Sequence, residues 1–378
     1  MPLRIAIVGG GIGGLSAAIA LARYGFDIRV YEQAAQFTRI GSDINLTPNA
    51  VRALDGLGIG PALRECAARP THRISRTWDS GEETSRLPMS DEAERKYGSP
   101  QLTFHRSDLL DVLEGAVPPA CVALGKKLRT LVTTEAGATL HFADGSEETA
   151  DLVIGADGIH SVVRATLFGA DKPRFTGVVA FRTVVPADRL DGQPNIQAFT
   201  KWWGSNPQNQ IVTFPLSRGK DIFIFATIGQ DSWLHESWTM PGSVDEFRSL
   251  YADFHPEARR LLDACDSVLK TALYERDPMP RWSEGKVTLM GDACHPMLPF
   301  MAQGACQAVE DAVVLARCLG ESGKPPEEAF KLYESLRLER TAKIQLMSRG
   351  NEWLKQGGSP DSADWLYGYD VWSVPVKG

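Results

Sequence analysis

The sequence predicts an α/β fold with a Rossmann-like domain, an inserted antiparallel sheet and C-terminal helices. Three observations carry this. Gly9-Gly10-Gly11-Ile12-Gly13-Gly14 follows an apolar strand-like run and opens an Ala-rich helical stretch. Two further short apolar runs end in Asp157-Gly158 and Gly291-Asp292. Between these, from about Pro173, the pattern changes to longer strands with apolar alternation.

Taken in order, Arg4 to Val8 reads as the first strand, and Ile28 to Tyr31 as the next parallel strand, closed by Glu32. Gly9 permits a tight turn, Gly11 lets backbone approach a diphosphate, and Gly14 lets helix pack on strand. Glu32, followed by Gln33, stands where an acid accepts hydrogen bonds from a ribose diol and disfavours a 2′-phosphate. A helix is expected over Ala50 to Leu57, then a polar, turn-rich excursion from about Thr71 to Ser99. Leu102 to Phe104 leads into a helix over Ser107 to Leu113, with Arg106 at its start. Thr139 to Phe142 and Glu147 to Ala150 flank a turn as a hairpin, and Leu152 to Ile154 returns to the main sheet. The inserted sheet is expected from Val178 to Val185, Ile196 to Trp203, Ile211 to Leu216 and Ile222 to Ile228, finished by helical segments from Val244 to Ala264. One face of such a sheet is covered and the other is free to roof a cavity. Lys286 to Met290 re-enters the first domain, and helices follow over Ala305 to Leu319 and Pro326 to Arg349.

This order implies a discontinuous nucleotide domain of residues 1–70, 100–172 and 276–350. A substrate domain takes 71–99 and 173–275, and a tail, 351–378, packs on the body. With 378 residues and 43% apolar content the chain can bury two cores. A net charge of −7 with no basic block argues against nucleic acid as a partner. The six cysteines show neither a CxxC pair nor zinc spacing, so no metal site is expected, and they read as reduced thiols of a cytoplasmic protein. The apolar stretch from Ile5 to Ala22 is broken by glycines and needed as strand, turn and helix, so it reads as neither a leader nor a membrane span. His72 and His235 read as surface residues and His160 as structural. A monomer or homodimer is expected.

The fingerprint at Gly9, the segment Asp151-Leu-Val-Ile-Gly-Ala-Asp-Gly-Ile-His-Ser161, and Gly291-Asp292-Ala-Cys-His-Pro296 leading to Pro299 and Gln303-Gly304 resemble the three signatures of single-component FAD-dependent aromatic hydroxylases. Lys201-Trp202-Trp203 and Trp365-Leu-Tyr-Gly-Tyr-Asp370 resemble the salicylate hydroxylase and 6-hydroxynicotinate 3-monooxygenase group. The resemblance implies a FAD-binding domain of the type found in p-hydroxybenzoate hydroxylase. It implies tightly bound FAD, NADH or NADPH and O₂ as co-substrates, and hydroxylation of a phenolic or hydroxypyridine ring through a flavin hydroperoxide, with decarboxylation where a carboxylate occupies the attacked carbon. Two alternatives stay open at this point, a nicotinamide-dependent dehydrogenase and a non-hydroxylating flavin reductase.

By position, the resemblance gives Gly9, Gly11, Ile12, Gly13, Gly14, Glu32 and Gln33 to the AMP half of FAD, Arg106 to the diphosphate and Asp292 to the ribityl chain. Gly155, Asp157 and Arg164 are shared between FAD and the nicotinamide cofactor. Gly291, Pro299, Gln303, Gly304 and Ala305 face the flavin, and the helix N-terminus there favours an anionic reduced ring. Ala302 stands where the family often has Gly, so a positive φ would be strained there. The small aromatic substrate is expected to meet Asn45, Arg182, Gln210, Thr213, Phe214, Met297 and Phe300, with Leu46 beside them. Arg182 either pairs a substrate carboxylate or braces its strand. Of the adjacent Trp202 and Trp203, at most one can face the cavity.

Overall fold

A computed structural model describes residues 2–36, 43–118, 120–233, 240–350 and 363–377. The first sheet runs in the order Ser283–Glu284, Val287–Leu289, Leu152–Gly155, Arg4–Val8, Asp27–Tyr31 and Val122–Ala123. Its four central strands are parallel: Val8 pairs with Tyr31 on one side and Gly155 on the other, and Gly155 in turn with Leu289. Ile5, Ile7, Val30, Val153, Ile154 and Val287 are buried on both faces, the run of β-branched residues that a doubly covered parallel sheet requires. The helices Ile12–Ala22 and Gly304–Glu321 pack on each other. Their small residues, Ala17, Ala18, Ala308 and Ala312 among them, are buried.

The second sheet has seven strands in the order Leu269–Glu275, Arg174–Pro186, Asp221–Gly229, Gln210–Leu216, Phe199–Trp203, His72–Thr77 and Glu83–Pro88. Three sequence expectations need correction here. The stretch read as a polar excursion contributes two strands, His72–Thr77 and Glu83–Pro88, whose alternation is masked because both faces at this sheet edge carry polar residues. The sheet is also not wholly antiparallel, since Phe199–Trp203 runs parallel to His72–Thr77. That strand starts at Phe199 rather than Ile196, after a turn in which Asn195 has φ +61°. Leu269–Glu275 was not anticipated as a strand.

Period-2 geometry gives this sheet two different faces. Phe181, Trp202, Ile211, Ile222 and Ile224 pack against Phe247, Tyr251, Ala258 and Leu261 of the two short helices Val244–Leu250 and Pro256–Asp263. The alternate residues look the other way, toward the strand Asp43–Leu46 and the loop of residues 297–302. The long helix Pro326–Ser348 returns across Gly304–Glu321, and beyond it Leu366, Val371 and Val376 are buried. Residues 351–362 and His235 lie outside the described residues. Among the described residues, no helix is long and apolar enough to cross a membrane.

Candidate cofactor and substrate site

Because the four central strands are parallel and in register, the segments that follow them leave the sheet at one edge: Gly9, Glu32, Ala156-Asp157 and Met290-Gly291. Ligands of open α/β sheets bind at this carboxyl edge. The segments touch. Gly9 has φ +106°, and a Cβ there would lie 2.3 Å from the Ala156 carbonyl oxygen. A Cβ on Gly13 would lie 3.1 Å from Ala308 and 3.4 Å from the Met290 methyl, and one on Gly291 3.1 Å from Ala308. Gly14 is tighter still, with 2.0 Å to the Gly9 carbonyl oxygen. At Gly11 a Cβ would meet no atom within 4 Å, so this amide-bearing turn at the start of Ile12–Ala22 looks into open space. The Ile12 side chain belongs to the core, leaving only its backbone toward the edge.

The charged residues of this edge are placed by backbone. Glu32 accepts from the Gly10 N–H at 2.7 Å and the Ala34 N–H at 2.8 Å, fixing the fingerprint turn. Gln33 is exposed beside it. Asp157 accepts from Ser161 Oγ at 2.5 Å and from the amides of Val162 and Val163 at 2.7 and 3.2 Å, which holds the start of the helix Val162–Phe168. Burial raises its pKa against these bonds. Gly155 lies in the core, where a Cβ would meet Val163 and Leu289 at 2.8 Å, and Arg164 pairs with Asp171 at 2.8 Å. Arg106 opens the helix Arg106–Ala116 in the field of both Glu32 and Asp292, which offset the lowering of its pKa by burial. Asp292 reaches solvent in the cleft, yet protein on its other sides desolvates the carboxyl and raises its pKa, against the pull of His295 and Arg106. A single ligand along this edge would meet bare helix amides, one cation and two acids, which is the donor set a dinucleotide needs.

Below the Gly291 turn lies a buried ionic network that sequence reasoning missed. Asp311 accepts from the Gly291 N–H at 3.0 Å and from Arg337 Nε at 2.8 Å, and His295 Nε2 lies 2.6 Å from it. Arg337, fully buried, also donates to Glu310 at 2.5 Å, and Arg340 reaches Glu310 at 2.9 Å. Cys294, His295 and Asp311 could place ligand atoms within 4.8 Å of one another, but Arg337 already neutralises the carboxylate. A polar stripe on a helix, here Gln307, Glu310 and Asp311 at i, i+3 and i+4, was the available signal.

The loop after Pro296 is held by side chains rather than by strands. Gln303, fully buried, donates to Thr47 Oγ1 at 2.9 Å and accepts from Gln307 at 2.9 Å, so its side chain anchors the loop. Pro299 is exposed, Gly304 and Ala305 begin the long helix, and a Cβ on Gly304 would lie 3.8 Å from Asp292 Oδ1. Ala302 adopts φ +53°, ψ 38°, the left-handed conformation that disfavours a side chain. We expect Ala302→Gly to raise the unfolding free energy by about 0.5 to 1 kcal/mol, the relief of strain exceeding the added chain entropy. A lower midpoint in thermal unfolding would contradict this.

The same loop forms one wall of a cavity of about 240 Å³ against the second sheet. Met297, Leu298, Pro299, Phe300, Met301 and Ala302 face Ala180, Arg182, Gln210, Val212, Phe214 and Phe225 across it. Asn45 lines it, accepting from Gln101 at 2.7 Å. Two expected residues do not. Thr213 alternates with Val212 and Phe214 and so points to the other face, and Leu46 alternates with Asn45 and Thr47 and lies in the core. Trp203 lines the cavity and Trp202 the opposite core. Asp43, Arg73, Lys201, Tyr274 and Tyr367 also line it and were not among the expected cavity residues, although strand alternation places Asp43 with Asn45. Burial pushes the Asp43 carboxyl up to about 6, while Arg182 and His105 hold it down. Gln210 Oε1 and Thr271 Oγ1 are buried in this wall without a hydrogen-bond partner among the described residues.

A family model described as FAD binding domain matches residues 3–347. The chain is similar to 6-hydroxynicotinate 3-monooxygenase of Bordetella bronchiseptica, 40% identical over 375 residues, 99% of this chain and 97% of that protein. It is 37% identical to 3-hydroxybenzoate 6-hydroxylase of Polaromonas naphthalenivorans over 399 residues, covering 99% and 98% of the two chains. Among solved structures, a salicylate hydroxylase in complex with substrate superposes with a TM-score of 0.84 at 28% identity, over 98% of this chain and 97% of that one. With its three nucleotide segments meeting at one sheet edge, the chain belongs to the FAD-binding-domain family, among the single-component flavin-dependent aromatic monooxygenases.

Proposed function

We propose that this enzyme inserts one oxygen atom from O₂ into a hydroxylated benzene or pyridine ring, with NADH or NADPH as electron donor. The observation that carries the reading is that the Met297–Ala302 loop is shared: it leads from the Gly291-Asp292 turn, and its residues wall the aromatic-lined cavity. The reading assigns residues 1–70, 100–172 and 276–350 to FAD and residues 71–99 and 173–275 to the substrate. Relatives that act on 6-hydroxynicotinate and 3-hydroxybenzoate support it.

FAD, when bound, takes a hydride and supplies activated oxygen. The amides around Gly11, with Arg106, would hold the diphosphate, Glu32 the adenosine ribose and Asp292 the ribityl chain. The amide end of Gly304–Glu321 would face the flavin ring with positive potential. The protein's own work is to orient the substrate ring and keep water out. Phe214, Phe225, Phe300 and Met297 supply apolar walls, and Gln210 Oε1 and Thr271 Oγ1 stand as acceptors for a ring hydroxyl. A hydrogen bond accepted from that hydroxyl increases electron density on the ring carbons that must be attacked.

Purified holoenzyme should oxidise NADH or NADPH faster in the presence of hydroxybenzenes or hydroxypyridines, with matching O₂ uptake and a hydroxylated product. Reduction of oxygen to peroxide alone, with every ring returned unchanged, would refute the reading. Asp292→Ala should weaken FAD retention by about 1 to 3 kcal/mol, the loss of a hydrogen-bond acceptor that bound FAD would cover. Full flavin occupancy after dialysis would remove Asp292 from that role.

A further inference from the structure

The cavity floor has an electrostatic direction. Phe223, Phe214, Phe199 and Arg73 lie side by side on four neighbouring strands, through the pairs Phe214 with Phe223 and Phe199 with Arg73 and the stacking of Phe199 on Phe214. That stack has centroids 5.2 Å apart and planes within 4°. All four line the cavity, so a row of rings ends on a guanidinium. Arg73 is partly buried, and no hydrogen bond or ion pair to another described residue engages its side chain. Facing it is Tyr367, brought in by the short helix Asp364–Tyr367. Burial raises the Tyr367 phenol, which keeps it protonated at neutral pH, and the nearby Arg73 charge pulls the other way. A guanidinium and a phenolic O–H offer donors and a positive charge with no carboxylate of their own.

The opposite end differs. Asp43 is the single carboxylate among the described lining residues, and it stands in the field of Arg182, at the other side of the sheet. Arg182 thus has an acid in its field, whereas no carboxylate lines the cavity beside Arg73. Net positive charge at one end of an apolar chamber attracts an anion carried by an aromatic ring, and a planar fork matches a carboxylate with two hydrogen bonds.

Resting on the hydroxylase reading, we propose that Arg73, assisted by the Tyr367 hydroxyl, receives the carboxylate of the substrate, which makes the substrate an aryl or heteroaryl carboxylic acid lying along the Phe199–Phe214 pair. Its hydroxyl end then points back toward Gln210, two strands away on the same wall. The acid is thereby aligned by its two ends, with the ring between them against the Met297–Ala302 loop.

The test uses holoenzyme and matched pairs of probes: 3-hydroxybenzoate against phenol, and 6-hydroxynicotinate against 2-hydroxypyridine. Binding is read from perturbation of the flavin spectrum, and coupling from NAD(P)H oxidation. In the wild-type enzyme at least one acid should bind more tightly than its neutral partner. Arg73→Gln should shift the acid-to-neutral ratio of Kd by about tenfold or more, as loss of a charge-assisted pair implies, with FAD content retained. Tyr367→Phe should shift the same ratio in the same direction by less, and Arg73→Lys should restore part of it. Equal binding of acids and neutral partners, or an unchanged ratio in Arg73→Gln, overturns the carboxylate site. If neutral rings alone stimulate turnover, the hydroxylase reading stands and this inference falls. If no hydroxylated ring stimulates it, both fall.

Discussion

Replacing Arg337 by methionine should lower the unfolding free energy by about 3 to 5 kcal/mol, because it strands buried carboxylates that have no route to water. Arg337 is fully buried and joins Glu310 at 2.5 Å, Asp311 at 2.8 Å and Gln307 Oε1 at 2.7 Å. Removing the cation leaves Asp311 with His295 and Glu310 with Arg340, each half-compensated. The damage should reach the cofactor edge, since Asp311 also fixes the Gly291 amide. Urea unfolding measures the first effect and FAD retention the second. A loss below about 1 kcal/mol would show that the network packs without needing its charge balance.

The same network sets an acid limit. Arg337 and His295 hold the Asp311 carboxyl down to about 2, and Arg337 and Arg340 hold Glu310 below its ordinary value, both against desolvation. A carboxylate depressed in the folded state contributes stability that is complete above its unfolded pKa and is lost as pH falls toward the folded one. Wild-type stability should therefore decline from about pH 4 toward about pH 2, and the decline should be shallower in Arg337→Met. Thermal unfolding at stepped pH reads this directly.

The second large effect separates two glycines of one motif. Gly14→Ala places a methyl 2.0 Å from a backbone carbonyl that cannot move without the strand beneath it, so the helix Ile12–Ala22 must withdraw from the sheet. Both folding stability and FAD content should fall, the former by several kcal/mol, on the order of ~3. Gly11→Ala meets no protein atom within 4 Å and should leave the stability of the FAD-free protein intact while weakening FAD binding. Equal destabilisation by the two changes would mean that Gly11 serves packing, not the ligand.

The residues that carry local chemistry were legible in advance. Gly9 requires its positive φ, Gly14 its close approach, and Ala302 takes the left-handed conformation that made an alanine there unexpected. The site residues read wrongly share one cause. Thr213 and Leu46 were grouped with sequence neighbours that strand alternation sends to the opposite face. Arg73 went unread because its strand, His72–Thr77, lies at a polar edge and pairs in parallel with a segment more than a hundred residues away. Arg337 looked like one more cation on an amphipathic helix.

By itself the sequence determined the fold class, the strands and turns of the nucleotide domain, and the glycine-and-acid segments that resemble those of flavin enzymes. These depend on local backbone geometry and on the period of apolar residues, which are written within a few positions of one another. The tertiary structure alone decided which of two sheet faces became the chamber, which arginines stand near Asp43 or Asp311 and which lines the cavity with no acid beside it, and how a C-terminal tyrosine came to line it. Charge compensation and enclosure depend on distances between segments far apart in the chain, and no local pattern encodes them.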